Sequence, residues 1–183
     1  MIKVFFGGSR RLSRLNAEVR ARIDNVLQQG FAVVIGDANG ADRAIQQYLN
    51  QKGYSNVTVF CAGVTCRNNL GHWNVEREAT DYKRSGFLHY AKRDARMADQ
   101  VDYGFFLWDG KSKGTLNNIV MLVTQKKPAL VYLSPRKKFV TIVHMDHLKE
   151  MVDQCEPQTI ETFRSVVRAS EKLTVRQSRL DLT

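Results

Sequence analysis

Short apolar runs separated by segments of helical spacing are the feature that most constrains the fold of this 183-residue chain. Each run has the length of a strand that is buried on both faces. Strands that alternate with helices imply a parallel sheet with right-handed crossovers. We therefore predict an α/β, Rossmann-like, doubly wound fold: a mostly parallel sheet of five or more strands, with helices on both faces. The predicted strands are Ile2–Phe6, Phe31–Ile35, Val57–Cys61, Tyr103–Trp108 and Ala129–Leu133, with Phe139–Val143 as a short extra strand.

Apolar residues three and four positions apart predict the helices. These are Leu15–Gln29, Ala41–Gln51, Phe87–Ala98, Leu116–Thr124, Met145–Gln154 and Thr159–Leu173. The polar stretch Cys66–Arg84 is predicted to be a long irregular loop, of the kind that is usually functional or mobile. Residues 1–173 are expected to form a single domain. The polar residues 174–183 are expected to form a frayed or partner-bound tail.

The composition excludes several classes of protein. Hydrophobic residues make up 43% of the chain, which excludes a disordered protein. No apolar run approaches the ~20 residues of a membrane helix, so no membrane association is expected. The apolar run Met1–Phe6 ends at Gly7–Arg11, too early for a signal peptide, and is interpreted as the first strand of a cytoplasmic protein.

The three cysteines are Cys61, Cys66 and Cys155. Their odd number and wide spacing do not suggest a disulfide framework. A zinc site would need closer cysteine pairs and a fourth ligand. We therefore expect ordinary reduced thiols and no metal.

The net charge of +10 suits an anionic partner, either a nucleotide or a nucleic acid. The basic residues are spread along the chain rather than concentrated in one segment. This distribution favours a solvated surface over a dedicated nucleic-acid groove. Nucleic acid is therefore an allowed partner but not the favoured one.

Three unusual loops follow three of the predicted strands: Gly7–Arg11, Gly36–Asp42 and Trp108–Thr115. Ligands of open parallel sheets bind at the carboxyl ends of the strands, so these loops are expected to meet at one place. A Gly/Ser/Lys/Thr turn ahead of a helix presents backbone N–H groups to an anion, and the helix dipole favours it. The loops predict a site for a phosphate-bearing ligand. The predicted ligand-binding residues on them are Gly7, Gly8, Ser9, Arg10, Gly36, Asp37, Gly40, Asp42, Trp108, Asp109, Gly110, Lys111, Ser112, Lys113, Gly114 and Thr115.

Several of these side chains have two interpretations. Arg10 or Arg11 is able to bind phosphate in a bidentate manner, or is a solvated turn residue. Asp37 and Asp42 either bind ribose hydroxyls or a base, or serve as a helix cap and a first-turn acid. A base could stack on Trp108 or on Trp73; packing of Trp108 over the sheet edge is the alternative.

Two common nucleotide motifs are missing. The order of residues 108–115 is not that of a Walker A loop, and no G-x-G-x-x-G follows the first strand. The second absence argues against an ordinary dinucleotide dehydrogenase.

The segments Gly7–Arg10, Gly36–Asp42 and Arg93–Thr115 resemble the SLOG superfamily of Rossmann-like nucleotide-binding domains. This superfamily includes the LOG phosphoribohydrolases and the DNA-processing protein A family. The G-x-x-x-G-A-D loop is especially similar to that of the YspA-like branch. The resemblance covers about residues 1–135 and implies the fold that the apolar pattern predicts.

The LOG enzymes carry R-K-x-x-M before the fourth strand and P-G-G-x-G-T-x-x-E after it. Arg93 and Met97 match the first motif, so the resemblance adds Arg93 to the predicted ligand-binding residues. Gly114 and Thr115 match the second motif, but Asn118 stands where the family has its catalytic Glu. Asparagine is not a general acid or base, so this departure argues against the family's hydrolase chemistry and leaves the nucleotide binding that the resemblance implies intact.

The favoured function is therefore the binding of a nucleotide or nucleotide-derived small molecule, and one version of this hypothesis is that the protein senses the ligand. A homo-oligomer (dimer or tetramer) is expected. No other cofactor is implied. The first alternative is an N-glycosidic-bond enzyme, a phosphoribohydrolase or a deoxyribosyltransferase-like protein. Its carboxylate would be Asp37, Asp42 or Asp109, of which Asp37 and Asp109 are retained as weak catalytic candidates. The second alternative is nucleic-acid binding.

Overall fold

A computed structural model describes residues 1–63, 65–78 and 87–180 of the chain. Its strands form one sheet in the order β4-β3-β2-β1-β5-β6-β7. All neighbouring pairs are parallel except β6 and β7, which are antiparallel. The strands are β1 (Lys3–Gly8), β2 (Ala32–Gly36), β3 (Val57–Ala62), β4 (Asn74–Glu78), β5 (Tyr103–Trp108), β6 (Ala129–Leu133) and β7 (Lys138–Ile142).

The helices cover both faces of this sheet, so the predicted α/β, doubly wound architecture is confirmed. They are α1 (Ala17–Gln28), α2 (Ala41–Gln51), α3 (Phe87–Asp99), α4 (Lys113–Thr124), α5 (Met145–Val152) and α6 (Pro157–Leu180). One apolar core lies between the sheet and α1 and α2, and the other between the sheet and the remaining helices. Within the described ranges, no helix has the length and hydropathy to cross a membrane.

Side chains of the central strands point alternately into the two apolar cores. Phe5 of β1 packs edge-on against Phe106 of β5 on the α4 side, with ring centroids 5.0 Å apart. The adjacent residues of the two strands, Phe6 and Phe105, pack on the α1 side with ring centroids 5.2 Å apart. A continuous apolar run is therefore required at the centre of the sheet.

The first two strands extend further than predicted. β1 ends at Gly8, which pairs with Leu107 of β5, and β2 ends at Gly36, which pairs with Phe60 of β3. Gly7, Gly8 and Gly36 therefore belong to strands rather than to the loops after them. A Cβ on Gly8 would meet the backbone of Leu107, and one on Gly36 would meet the side chain of Asp42, close approaches that an apolar pattern does not reveal.

The prediction of an irregular loop over Cys66–Arg84 is wrong for part of that stretch. Asn74–Glu78 forms β4, which pairs in parallel with β3 at the edge of the sheet. Its residues are polar because an edge strand exposes much of its surface to water. Residues 79–84 of the predicted loop lie outside the described residues.

Two helix boundaries also differ. α4 begins at Lys113 rather than near Leu116, because Ser112 is the N-cap: its side chain accepts a hydrogen bond from the N–H of Thr115. α6 continues to Leu180, seven residues beyond the predicted end at Leu173. The polar composition of that last segment does not stop the helix.

The expectation of reduced thiols is wrong for two of the three cysteines. Cys61 and Cys66 form a disulfide, with their Cα atoms 5.2 Å apart. The chain turns back directly after β3, and this brings two cysteines five positions apart to the separation that a disulfide needs. Cys155 is a free, half-buried thiol.

Candidate functional site

A cavity of about 640 Å³ opens at the carboxyl ends of β1, β2 and β5. The three predicted loops meet there, and the beginning of α6 forms one wall. Eleven of the seventeen predicted ligand-binding residues line the cavity. They are Gly7, Gly8, Arg10, Gly36, Asp42, Arg93, Asp109, Lys111, Ser112, Gly114 and Thr115.

The other six predicted residues, Ser9, Asp37, Gly40, Trp108, Gly110 and Lys113, are not part of the cavity lining. Trp108 is fully buried in the core, and its Nε1 donates to the carbonyl oxygen of Ser112 at 3.1 Å. Trp73 donates from Nε1 to the carbonyl oxygen of Tyr54 at 2.8 Å, also away from the cavity. Neither ring is placed to stack on a ligand in this cavity. Trp108 packs inside the core instead, rather than over the sheet edge as the alternative interpretation had it.

Ser9 is a buried link between the loops rather than an exposed donor. Its N–H donates to the carbonyl oxygen of Leu107 at 2.8 Å, and its carbonyl oxygen accepts from the N–H of Ala41 at 3.2 Å. Its hydroxyl donates to Oδ1 of Asp109 at 3.0 Å. Ser9 therefore joins the end of β1 to β5, to the start of α2 and to the loop before α4.

Gly8 and Gly40 are required because other segments of the chain approach their Cα atoms closely. A Cβ on Gly8 would overlap the carbonyl oxygen of Leu107 and lie 2.8 Å from the Cβ of Ala41. Gly40 has a φ of +82°, and a Cβ there would overlap the backbone of Arg10. These glycines bring α2 against the end of β1.

Gly114 is different, because a Cβ added to it would meet no protein atom within 4 Å. It lies in the first turn of α4 and lines the cavity. The N–H groups of a first helical turn have no intrahelical acceptors, and the helix dipole makes this end attractive to anions. Gly114 therefore places no side chain between the cavity and this end of the helix.

Asp109 shapes the loop ahead of this helix. Its Oδ1 accepts from the backbone N–H groups of Lys111 at 3.0 Å and Ser112 at 2.7 Å, in addition to the hydroxyl of Ser9. An aspartate that bonds backbone N–H groups two and three residues on is a common turn former. These three bonds occupy the carboxylate oxygen, so its observed role is structural.

Buried charges form the cavity floor. The guanidinium of Arg93 donates from Nη1 to Oδ1 of Asp37 at 2.8 Å and from Nε to Oδ1 of Asp94 at 2.8 Å. Arg67 forms a second ion pair with Asp37. Burial raises the pKa of Asp37, but hydrogen bonds from Arg67 and the charges of both arginines outweigh this and hold its pKa below the ordinary value. Asp37 is fully buried and committed to these partners.

Asp42 is the carboxyl group whose ionisation is most altered. Burial raises its pKa to about 7, against the opposing charge of Arg93 and with a further contribution from Asp94. Its Oδ2 accepts from the N–H of Ala38 at 3.2 Å. A Cβ on Gly36 would lie 2.6 Å from this oxygen, so the glycine makes room for the carboxyl.

Sequence reasoning missed part of the lining. Asp94 and Asn118 contribute from α3 and α4. With the Asn118 amide assigned in the orientation that satisfies both of its ends, its nitrogen donates to Asp94 Oδ2 at 3.1 Å and to the carbonyl oxygen of Gly114 at 3.3 Å. The sequence points to Asn118 only as the replacement of the family's catalytic Glu. The lining residues beyond the predicted ligand-binding set are Phe5, Arg11, Ala38, Asp94, Asn118, Glu156, Gln158, Thr159 and Thr162, of which Arg11 is the one that the sequence also suggests as a phosphate ligand.

The wall from α6 is attached directly to the loop before α4. Thr159 donates from Oγ1 to the carbonyl oxygen of Gly110 at 2.6 Å, and Lys111 Nζ lies 2.7 Å from Glu156 Oε1. No local motif marks this segment as part of a site. Within the described part of the chain, no group of three or more His, Cys, Asp or Glu side chains is arranged to hold a metal ion.

Comparisons with known proteins support the fold. No protein-family model and no curated protein matches the chain. Among solved structures, it is similar to DNA processing protein A from Helicobacter pylori, with a TM-score of 0.53 and 16% identity over 71% of this chain. The match spans 64% of that protein, which is described as having a unique single-stranded DNA binding mode. The similarity shows a Rossmann-like fold, and the neighbour's family is one of those that the sequence resembles.

Proposed function

We propose that this protein binds a nucleotide, or a nucleotide-derived small molecule, in the cavity at the carboxyl ends of β1, β2 and β5. The observation that carries the proposal is Gly114, a residue without a side chain in the first turn of α4, with open space beside it. Glycine weakens a helix relative to alanine, and packing does not require it here. Close approach of a ligand's phosphate to the helix N-terminus gives a reason for it.

The rest of the cavity suits the two ends of such a ligand. Its volume of about 640 Å³ lies within the usual range for small-molecule sites. Arg10, Arg11 and Lys111 contribute positive charge, which favours phosphate. On the floor, Asp42 and Asp94 supply carboxyl oxygens that are able to accept hydrogen bonds from sugar hydroxyls or a base.

The test is calorimetric titration with AMP, with adenosine as the comparison that lacks phosphate. We expect AMP to bind and adenosine to bind at least tenfold more weakly. Gly114→Ala should weaken AMP binding without loss of stability, because its methyl group occupies the space of the phosphate. Arg11→Ala should also weaken it, whereas the matched charge removal Lys149→Ala, on α5, should not. Equal binding of AMP by Gly114→Ala and the unsubstituted protein would contradict this placement of the phosphate.

Cleavage of an N-glycosidic bond is a second candidate, favoured by one observation. Asp42 lines the cavity with a pKa raised to about 7, which is the range for a general acid at neutral pH. Asp37 is less suited because the arginines bind both of its oxygens, and Asp109 because its Oδ1 is bound by the turn and by Ser9. Incubation with nucleoside monophosphates and chromatography for the released base tests this. AMP binding without release of the base would exclude cleavage and support binding as the function.

Nucleic-acid binding is the other candidate, suggested by the net charge of +10 and by the described DNA binding of the structural neighbour. A fluorescent single-stranded oligonucleotide tests this candidate. Its dissociation constant is measured from about 50 to about 200 mM salt, because binding that depends on phosphate contacts weakens steeply over this range. Absence of binding at the lowest salt would exclude it. Competition by AMP would place strand and nucleotide in the same cavity.

The nucleotide-binding proposal includes three further parts: that the protein senses its ligand, that it forms a dimer or tetramer, and that it is cytoplasmic. A sensor must change some property when its ligand binds. Light scattering after size-exclusion chromatography, with and without AMP, measures whether that property is the assembly state.

A further inference from the structure

The segment after β3 is fixed to the cavity wall in two ways. The Cys61–Cys66 disulfide ties it back to the end of the strand. The next residue, Arg67, holds the buried carboxylate of Asp37: its N–H and Nε donate to Oδ2 at 3.1 and 3.2 Å, and its Nη2 donates to Oδ1. The disulfide and the ion pair are thus adjacent along the chain.

Residues 68 and 70 extend this attachment. Asn68 donates from Nδ2 to the carbonyl oxygen of Asp37 at 2.8 Å and to Asn39 Oδ1 at 3.0 Å. The N–H of Leu70 donates to Gln46 Oε1 at 3.1 Å, and Gln46 Nε2 donates to the carbonyl oxygen of Gly36 at 2.9 Å. Residues 66–70 therefore hold the connection 37–40 between β2 and α2 through residues that do not line the cavity.

We propose that the Cys61–Cys66 disulfide is a redox-sensitive latch: it holds residues 66–70 against the connection 37–40, and its reduction loosens that connection and weakens the nucleotide site beside it. The connection carries Ala38, which lines the cavity and whose N–H donates to the cavity carboxyl of Asp42 at 3.2 Å. Loss of order at residues 66–70 therefore reaches the site through Asp37 and Ala38. The ligand readout rests on the proposed function, and the order of the connection does not.

The chemistry is ordinary thiol–disulfide exchange with a dithiol reductant. Cys61 is fully buried and Cys66 is half-buried, so the reductant's thiolate attacks Sγ of Cys66. Cys61 leaves with the electron pair of the S–S bond and takes up a proton. The second thiol of the reductant then displaces Cys66 from the mixed disulfide. One protein disulfide is reduced to two thiols, and one dithiol is oxidised to a disulfide.

The test compares the oxidised and dithiothreitol-reduced full-length protein by amide hydrogen exchange, with the disulfide state verified by mass spectrometry. On reduction we expect faster exchange in residues 66–70 and in 37–40. AMP affinity should fall by about fivefold or more, the low end of typical coupling between sites. Cys61→Ala/Cys66→Ala should behave like the reduced protein. Cys155→Ser, which removes the free cysteine, should respond to dithiothreitol as the unsubstituted protein does.

The Arg67→Ala variant tests whether reduction acts through the bonds between Arg67 and Asp37 or through a general effect on the protein. Without its side-chain bonds to Asp37, the oxidised variant should already exchange faster at 37–40, and reduction should change its AMP affinity by less than about twofold. Identical exchange at 37–40 in the oxidised and reduced protein overturns the latch. Faster exchange with unchanged AMP affinity overturns its coupling to the site. If no form binds AMP, the proposed function fails, and exchange at 37–40 alone decides the latch.

Discussion

Replacement of Asp42 by asparagine should remove a pH dependence of stability that this one carboxyl group creates. Burial raises the pKa of Asp42 from 3.8 to about 7 in the folded protein. Between these two values the folded chain binds more protons at this position than the unfolded chain does. Stability from this group is therefore fully present below about pH 4 and is lost as the pH rises through about 7.

The size of the effect follows from the shift. A rise from 3.8 to about 7 corresponds to about 4 kcal/mol of unfolding free energy, at roughly 1.4 kcal/mol per pKa unit. This is a large fraction of the stability of a typical domain, which is about 5–15 kcal/mol. Asparagine is close in shape to the protonated carboxyl and stays neutral at every pH. Asp42→Asn should therefore gain stability relative to the unsubstituted protein as the pH is raised.

The assay is urea unfolding at intervals from about pH 4 to pH 8, followed by circular dichroism. We expect the difference in unfolding free energy, Asp42→Asn minus unsubstituted, to increase steadily up to about pH 7 and then to level off. Asp153→Asn, an exposed position at the end of α5, controls for the removal of one negative charge. If the difference is the same at pH 4 and pH 8, Asp42 ionises normally and the argument from its burial is wrong.

Three further substitutions test how packing and capping position the site. Gly8→Ala should destabilise the protein by about 3 kcal/mol or more, because the new Cβ would overlap the carbonyl oxygen of Leu107; an unchanged urea midpoint would refute this. Gly114→Ala should be neutral or stabilise by up to about 1 kcal/mol in the same assay, since its Cβ meets open space; a clear loss would show that packing requires the glycine. Ser112→Ala should cost about 1 kcal/mol through loss of the N-cap bond to Thr115, and its thermal midpoint should fall accordingly; no decrease would mean that the cap contributes nothing.

The central strands were predictable because they are buried on both faces. β5 and β6 have the predicted bounds, Tyr103–Trp108 and Ala129–Leu133, since a strand covered by helices on each side must be apolar throughout. β4 was missed for the converse reason. Its sequence, Asn74–Glu78, is exposed enough to be mostly charged and polar, so neither strand propensity nor an apolar run marks it.

The part of the site formed by strand ends was predictable from topology, whereas the part formed by α6 was not. Parallel strands end at the same edge of the sheet, so their loops meet whatever the details of each loop. Thr159 is 49 residues from its partner Gly110, and no periodicity or motif indicates that the two meet. The disulfide was missed for a similar reason, since the turn after β3, rather than the spacing of Cys61 and Cys66, brings the cysteines together.

The buried arginines beside the cavity bear on how a site proposed to hold a phosphate could tolerate so many carboxylates. Asp37 and Asp94 each bond to Arg93, and Arg67 adds a second positive charge to Asp37. Burial raises the pKa of Asp42 to about 7, and the charge of Arg93, which is shared with Asp37 and Asp94, opposes this rise without cancelling it. A protonated Asp42 presents no negative charge to an approaching phosphate and is able to donate a hydrogen bond. AMP affinity should therefore decrease as the pH rises through about 7, and the decrease should be smaller in Asp42→Asn; titrations at pH 6 and pH 8 measure both.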